Sequence, residues 1–225
     1  MPKLNKTKHG YKGLLVVIEG TDASGRSTQI ELLKKYLECK AYGVVVSEWK
    51  SSELIASVID DAKERNLLNA NTFSLMYAAD FAFRLENQVI PALEAGFAVL
   101  MDRYAYTAYA RDVVRGVKPA WVRKLYDYAP APDMTFYIDI PVKTLLKRII
   151  ASKGFDYYES GRDIGLSTDF YESFKIYQNK ILEEYSKMID EYDFIKVDGN
   201  DSIENIHNVI KENTIKLLDK NFSKA

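Results

Sequence analysis

Five short runs rich in β-branched and aliphatic residues punctuate the chain: LLVVIE (14–19), GVVVSE (43–48), FAVLMD (97–102), MTFYID (134–139) and DFIKVD (193–198). Three of them are continuously apolar rather than alternating, the pattern of strands covered on both faces. Between the runs, apolar residues recur at helical spacing: Ile30, Leu33 and Leu37; Leu85, Val89 and Leu93; then Phe174, Tyr177, Ile181, Tyr185 and Met188. Strands alternating with helices predict an α/β fold, doubly wound, with a five-stranded and mainly parallel sheet flanked by helices. Ligands of such sheets collect at the carboxyl ends of the strands. There the runs carry acids: Glu19, Glu48, Asp102, Asp139 and Asp198. Most of these read as no more than polar strand ends, with Asp102 the exception.

One stretch, ASKGFDYYESGRDIGLSTD (151–169), follows neither period. Its mixture of glycines, aromatics and charges predicts a mobile lid next to the site. No repeat, low-complexity tract or linker divides the chain, and 225 residues suit one domain over 13–225 behind a basic flexible tail, 1–12, that carries Lys3, Lys6, Lys8 and Lys12. The first apolar run has five residues, so neither a secretory signal nor a membrane span is expected. Thirty-one Lys and Arg against 32 Asp and Glu leave a formal charge of −1, with no global excess to draw nucleic acid or an anionic membrane. The one cysteine, Cys39, excludes an internal disulfide and suits a reducing cytoplasm. Its spacing from Leu33, Tyr36 and Leu37 predicts a buried thiol.

Candidate chemistry begins at GTDASGRST (20–28). The phosphate-loop pattern G-x-x-x-x-G-K-[ST] fits at Gly20, Gly25 and Ser27, but Arg26 stands where the pattern has lysine. The segment follows the first strand and opens a helix, as a loop binding the phosphates of ATP must. Backbone N–H groups of Gly20, Ala23, Ser24 and Gly25 then converge on the anion, Ser27 can hold Mg²⁺, and Thr28 supports the loop. Arg26 keeps the charge in a planar fork suited to two phosphate oxygens. The plain alternative is an ordinary turn and helix cap. A second constellation, MDRYAYTAYARDVVRG (101–116), sends Asp102 and Arg103 off the third run together. Asp102 can serve a magnesium ion or an acceptor oxygen and Arg103 can clamp an acceptor phosphate, unless the pair simply caps a strand.

The segments VVIEGTDASGRSTQIELLKKYL, SLMYAADFAFRLENQVIPALEAGFAVLMDRYAYTAYA, PDMTFYIDIPVKTLLKRI and VDGNDSIENIH resemble, in order, successive blocks of the thymidylate kinase family, over roughly residues 14–210. The resemblance implies a P-loop kinase fold and transfer of the ATP γ-phosphate to dTMP with Mg²⁺, in a cytoplasmic homodimer whose partners are small nucleotides rather than nucleic acid or membrane. It implies that Asp22 meets the acceptor sugar or phosphate, Arg103 the acceptor phosphate, Asp102 magnesium and the reacting oxygens, and Tyr77 the face of the base; Thr107 falls in the same acceptor-binding block. The chain departs from the family at Phe81, where an arginine usually reads the thymine edge, and at Arg111 and Asp112, where an aromatic and a polar reader are usual. Arg84 or Arg111 is then the candidate replacement donor. Of the basic residues in or near the lid, Lys153, Arg162 and, at its root, Arg148, Arg162 is the candidate for catalysis, because Gly161 permits it to swing inward; a solvated lid charge is the plain alternative. His9 and His207, in a polar tail and a terminal helix, do not read as catalytic. A P-loop kinase for another nucleotide or nucleoside, and a nucleotide-binding module impaired in catalysis, remain the alternatives.

Overall fold

The computed structural model describes residues 9–152 and 154–222, so residues 1–8 of the expected tail, and Lys153, lie outside the described residues. Five strands, β1 (Leu14–Gly20), β2 (Val44–Glu48), β3 (Ala98–Asp102), β4 (Met134–Asp139) and β5 (Ile195–Asp198), form one sheet in the order β2-β3-β1-β4-β5. Every neighbouring pair is parallel, so the sheet is wholly rather than mainly parallel. β1 lies at the centre and is buried along its whole length. Its side chains divide between two cores: Leu15 and Val17 face one, Leu14, Val16 and Ile18 the other. Coverage on both faces is why this run is apolar throughout instead of alternating. β2 reads the same way in sequence but is an edge strand, and Val44, Val45 and Val46 are only half-buried.

The helices are α1 (Arg26–Cys39), α2 (Ala56–Glu64), α3 (Ala70–Arg84), α4 (Ile90–Glu94), α5 (Ala105–Val114), α6 (Pro119–Leu125), α7 (Val142–Ala151), α8 (Phe170–Glu191) and α9 (Ile203–Phe222). The predicted stripe on α8, from Phe174 to Met188, is buried. Leu85 and Val89 lie in a π turn, Leu85–Val89, that joins α3 to α4, and both are buried with Leu93. On α1 the buried face is Ile30, Leu33 and Leu37, and Cys39 is exposed rather than buried. Two residues beyond Leu37, Cys39 is turned about 200° away from the apolar stripe, so its nearness in sequence misleads. Residues 9–12 meet the body of the fold: His9 Nε2 bonds Asp133 Oδ2 at 2.9 Å, and Tyr11 packs against the core. Among the described residues no helix is long and apolar enough to cross a membrane.

Candidate active site

β1 is flanked by β3 and β4, and its carboxyl end delivers the chain into a tight loop. Gly20 has φ 152°, and a Cβ there would stand 2.8 Å from Ser24 Oγ and 2.9 Å from the Ile138 carbonyl oxygen. Gly25, which caps α1, has φ 99°. Glycine alone takes both positions without strain. Ala23 between them is also left-handed, at φ 58°. Left-handed residues leading into an open helix amino end build the concave nest that attracts a phosphate.

Arg26, the departure from the phosphate-loop pattern, is buried and turned into the loop. Its Nε donates to Asp102 Oδ1 at 2.7 Å, and its Nη1 donates to the Gly20 carbonyl at 2.7 Å, to the Thr21 carbonyl and to Ser24 Oγ at 3.3 Å. Ser27 Oγ donates to the other carboxylate oxygen, Asp102 Oδ2, at 2.9 Å. One carboxylate at the end of β3 thus ties the first turn of α1 to the neighbouring strand. Burial pushes the Asp102 carboxyl up, but Arg26 and Arg103 outweigh it and hold it below the usual carboxylate range. Ser27 Oγ and an ionised carboxylate are hard oxygen donors. They fit Mg²⁺, which takes one or two protein oxygens and completes its shell with phosphate and water. Among the described residues no cluster of three or more His, Cys, Asp and Glu could hold a metal.

A second charge centre stands beside the first. Asp22, from the loop, accepts from Arg103 Nη2 at 2.6 Å and from Arg111 Nη2. Arg103 itself is left-handed, at φ 74°, unusual for a residue with a side chain. Burial and the cations of Arg111 and Arg26 lower its pKa, while Asp22 holds it up. For Arg111, burial is the largest influence and lowers the pKa, but Asp22 together with Tyr177, Glu159 and Tyr77 outweighs it and the pKa rises. Thr107, expected at the acceptor, is fully buried and bonded inward, accepting from Arg103 Nη1 at 3.3 Å.

The expected base-binding residues divide. Tyr77 stacks on Trp49, with ring centroids 5.9 Å apart and planes at 16°. Trp49 was not singled out in the sequence; its signal was an aromatic one residue beyond the acid that ends β2. Phe81 has zero exposure and packs edge-on against Tyr104 and Tyr126, backing the aromatic cluster rather than lining an opening. Arg84 is also buried, its Nε on Asp80 and its Nη1 on Ser47 Oγ, both at 2.9 Å. Asp80 accepts the backbone N–H groups of Lys50 and Ser52. The Arg84–Asp80 pair therefore braces the turn that carries Trp49.

The segment 154–169 is docked. Tyr158 is buried beside Phe73 and Tyr77, and a 3₁₀ turn, Arg162–Ile164, leads toward α8. Arg162 donates to the Ser167 carbonyl at 2.6 Å and lies 4.7 Å over the ring of Phe170, the first residue of α8, so its ties are to its own segment and the start of the next helix. Arg148 of α7, at the root of the segment, does touch the phosphate loop: its Nη1 donates to the Ala23 carbonyl at 3.2 Å and the Ser24 carbonyl at 3.4 Å, while Nη2 reaches the Gly199 carbonyl at 2.9 Å. Sequence reasoning passed over Arg115, which clamps the docked segment to α8 and to the ring of Phe73 on α3.

Asp112 is enclosed between α5 and its neighbours, and among the described residues its Oδ2 has no hydrogen-bond partner. Burial pushes its carboxyl up to about 6 from an ordinary 3.8, against the pull of Ser74, Arg115 and Arg111. A carboxyl whose pKa rises on folding binds protons more readily in the folded state, so stability falls as pH climbs from 3.8 to about 6 and stays reduced above. Asp112→Asn removes that penalty. The variant is expected to be about 1 to 3 kcal/mol more stable than the parent at pH 8, with the difference closing near pH 4. Urea unfolding across that range checks it, and a gain that does not vary with pH would refute the assignment.

A family model described as thymidylate kinase matches residues 18–210. The chain is 44% identical over 197 residues to probable thymidylate kinase 2 of Saccharolobus solfataricus, covering 87% of this chain and 92% of that one. It is 32% identical over 205 residues to a probable thymidylate kinase of Thermococcus gammatolerans, covering 87% and 92%. To a thymidylate kinase of Acholeplasma laidlawii it is 32% identical over 213 residues, covering 91% of this chain and all of the relative.

Proposed function

The chain belongs to the thymidylate kinase family, and from that membership we propose that it transfers the γ-phosphate of ATP to dTMP, giving ADP and dTDP. It is a phosphotransferase. The observation that carries the reading is the pair of adjoining charge centres: Asp102 gathers Arg26 and Ser27 at the phosphate loop, and Asp22 gathers Arg103 and Arg111 beside it. Two phosphate-bearing substrates need two such centres with one gap between them.

In this scheme Gly20, Ala23, Ser24, Gly25 and Thr28 cradle the ATP phosphates, and Arg26 keeps the loop in shape and its charge close to the transferred group. Ser27 Oγ and Asp102 would hold Mg²⁺, which when bound neutralises charge on the phosphates. Arg103 exchanges part of its bond to Asp22 for the acceptor phosphate, and Asp22 then orients the sugar. Trp49, backed by the buried ring of Tyr77, supplies the flat apolar surface against which the base lies, and Arg111, on release from Asp22, is the candidate donor for its edge, since Arg84 is committed to Asp80 and Ser47. The segment 151–169 acts as the lid, excluding water from the transfer. Arg162 steadies it through the Ser167 carbonyl, and Arg148 steadies the phosphate loop through the Ala23 and Ser24 carbonyls. The exposed thiol of Cys39 suits a reducing cytoplasm, and the family resemblance implies a homodimer, which sedimentation would test.

The functional test is a coupled assay with each common nucleoside and deoxynucleoside monophosphate, ATP and Mg²⁺. The expected result is highest kcat/KM with dTMP. A purine monophosphate as best acceptor would replace the substrate assignment, and no turnover with any acceptor would reduce the protein to a binding module. Arg103→Ala should raise the dTMP KM by roughly ten- to a hundredfold while ATP affinity holds, as expected for a lost charge-assisted bond.

A further inference from the structure

Of the five acids at the carboxyl edge of the sheet, Glu19 stands apart. Asp139 and Asp198 behave as polar strand ends, the first paired with Lys196 at 2.7 Å and the second accepting from the Asn200 N–H at 2.9 Å, and Glu48 is exposed. Glu19 has zero exposure. Its Oε1 accepts the Tyr104 backbone N–H at 2.7 Å, and its Oε2 accepts from Thr107 Oγ1 at 2.9 Å and from the Tyr185 hydroxyl at 2.7 Å. Thr107 Oγ1 lies 3.1 Å from the Tyr185 hydroxyl and accepts from Arg103 Nη1 at 3.3 Å. The hydrogens can be assigned consistently. A backbone N–H and a guanidinium only donate, so Thr107 accepts from Arg103 and sends its own proton to Glu19, as Tyr185 does.

These bonds bracket the left-handed residue. Arg103 has φ 74°, a conformation that a side chain resists, and Glu19 grips both the peptide N–H that follows it and the hydroxyl that supports its guanidinium. We propose that Glu19 is a positioning residue for the acceptor clamp: through Tyr104 it secures the turn at Arg103, and through Thr107 it aims the guanidinium. Tyr185 extends the same network to α8, the helix that follows the lid segment. The proposal rests on the reading of Arg103 as the acceptor-phosphate clamp.

The experiment compares Glu19→Gln, Thr107→Val, Thr107→Ser and the Glu19→Gln/Thr107→Val double variant with the parent in a coupled assay, with Arg103→Ala alongside. Gln keeps the acceptor for the Tyr104 N–H but presents an amide to the hydroxyls, and Val keeps the shape of Thr107 without its hydroxyl. The dTMP KM should rise about five- to twentyfold in Glu19→Gln and in Thr107→Val, with the ATP KM within about twofold of the parent and Thr107→Ser close to it. The double variant should be no worse than its more affected parent, because both changes cut one relay. An unchanged dTMP KM, equal losses for both substrates, or multiplying effects in the double variant would each overturn the positioning role. If Arg103→Ala leaves the dTMP KM unmoved, the acceptor-clamp reading falls and the relay loses its object with it.

Discussion

Arg26→Ala is expected to cost about 3 to 5 kcal/mol of folding stability and to slow turnover by roughly a hundredfold or more, with a smaller loss of ATP affinity. The stability loss follows from what the side chain holds. Its Nη1 satisfies the Gly20 and Thr21 carbonyls of the loop, and its guanidinium is the stronger of the two cations that keep Asp102 ionised. Removing it leaves a buried carboxylate facing Arg103 without its nearer cation, and two carbonyls short of a donor. The kinetic loss follows from the same contacts, because Ser27 and Asp102 lose the frame that fixes them to each other. Asp102 also gives the sign of the pH effect. Its folded pKa is depressed, so its contribution is full above 3.8 and is lost as pH falls through the lower folded value. The parent should therefore hold its fold further into acid than Arg26→Ala does. In Arg26→Lys a single ammonium can reach the carboxylate or the carbonyls but lacks the fork that spans both, so intermediate stability and measurable turnover are expected. Urea unfolding between pH 3 and 7, kcat at saturating substrates and ATP binding by calorimetry measure these effects. A variant as stable and as fast as the parent would mean that the backbone of the loop stands without its arginine.

Arg115→Ala should be comparably severe for stability, about 3 to 5 kcal/mol, through a different part of the molecule. This guanidinium donates to Asp163 Oδ2 at 2.7 Å, to the Tyr177 hydroxyl at 2.5 Å and to the Tyr158 carbonyl at 2.8 Å, and lies 4.3 Å over the Phe73 ring. Two of those partners belong to the segment 151–169, one to α8 and one to α3. Alanine would strand Asp163 as a buried carboxylate and cut the docked segment from its support. The segment should then open before the rest of the protein unfolds, as a local event. Hydrogen exchange of residues 156–165 and limited proteolysis would detect it. Turnover should fall because closure no longer has an anchor. Exchange in that segment matching the parent's would show that the segment is held by its aromatic contacts alone.

Much of this protein was readable from local pattern. Strand and helix positions follow from periodicity, because which face of an element is buried is decided by residues one or two turns apart. The phosphate loop was legible for a similar reason: Gly20, Gly25 and Ser27 lie within eight residues, and strand, tight turn and helix amino end are consecutive events along the backbone. Asp102 and Arg103 stood out because a strand end is a place in the sequence as well as in space. What a polar or aromatic side chain does once the elements pack is a different matter. Glu19 reads as a strand end until Tyr185, 166 residues away, arrives beside it, and Arg115 is an ordinary helix-end cation until Asp163, 48 residues on, closes over it. Phe81 and Arg84 face the core rather than an opening because Tyr104, Tyr126, Asp80 and Ser47 meet them there. Cys39 escapes burial by a rotation of the helix that sequence distance does not express. The sequence by itself determined the five strands, their layering with helices and the glycine-bearing loop between the first strand and the first helix, since those depend on hydrophobic spacing and backbone conformation. Tertiary structure decided which charges pair, because an ion pair or a buried hydrogen bond is set by distances of about 3 Å between chain segments whose separation in sequence carries no trace of the contact.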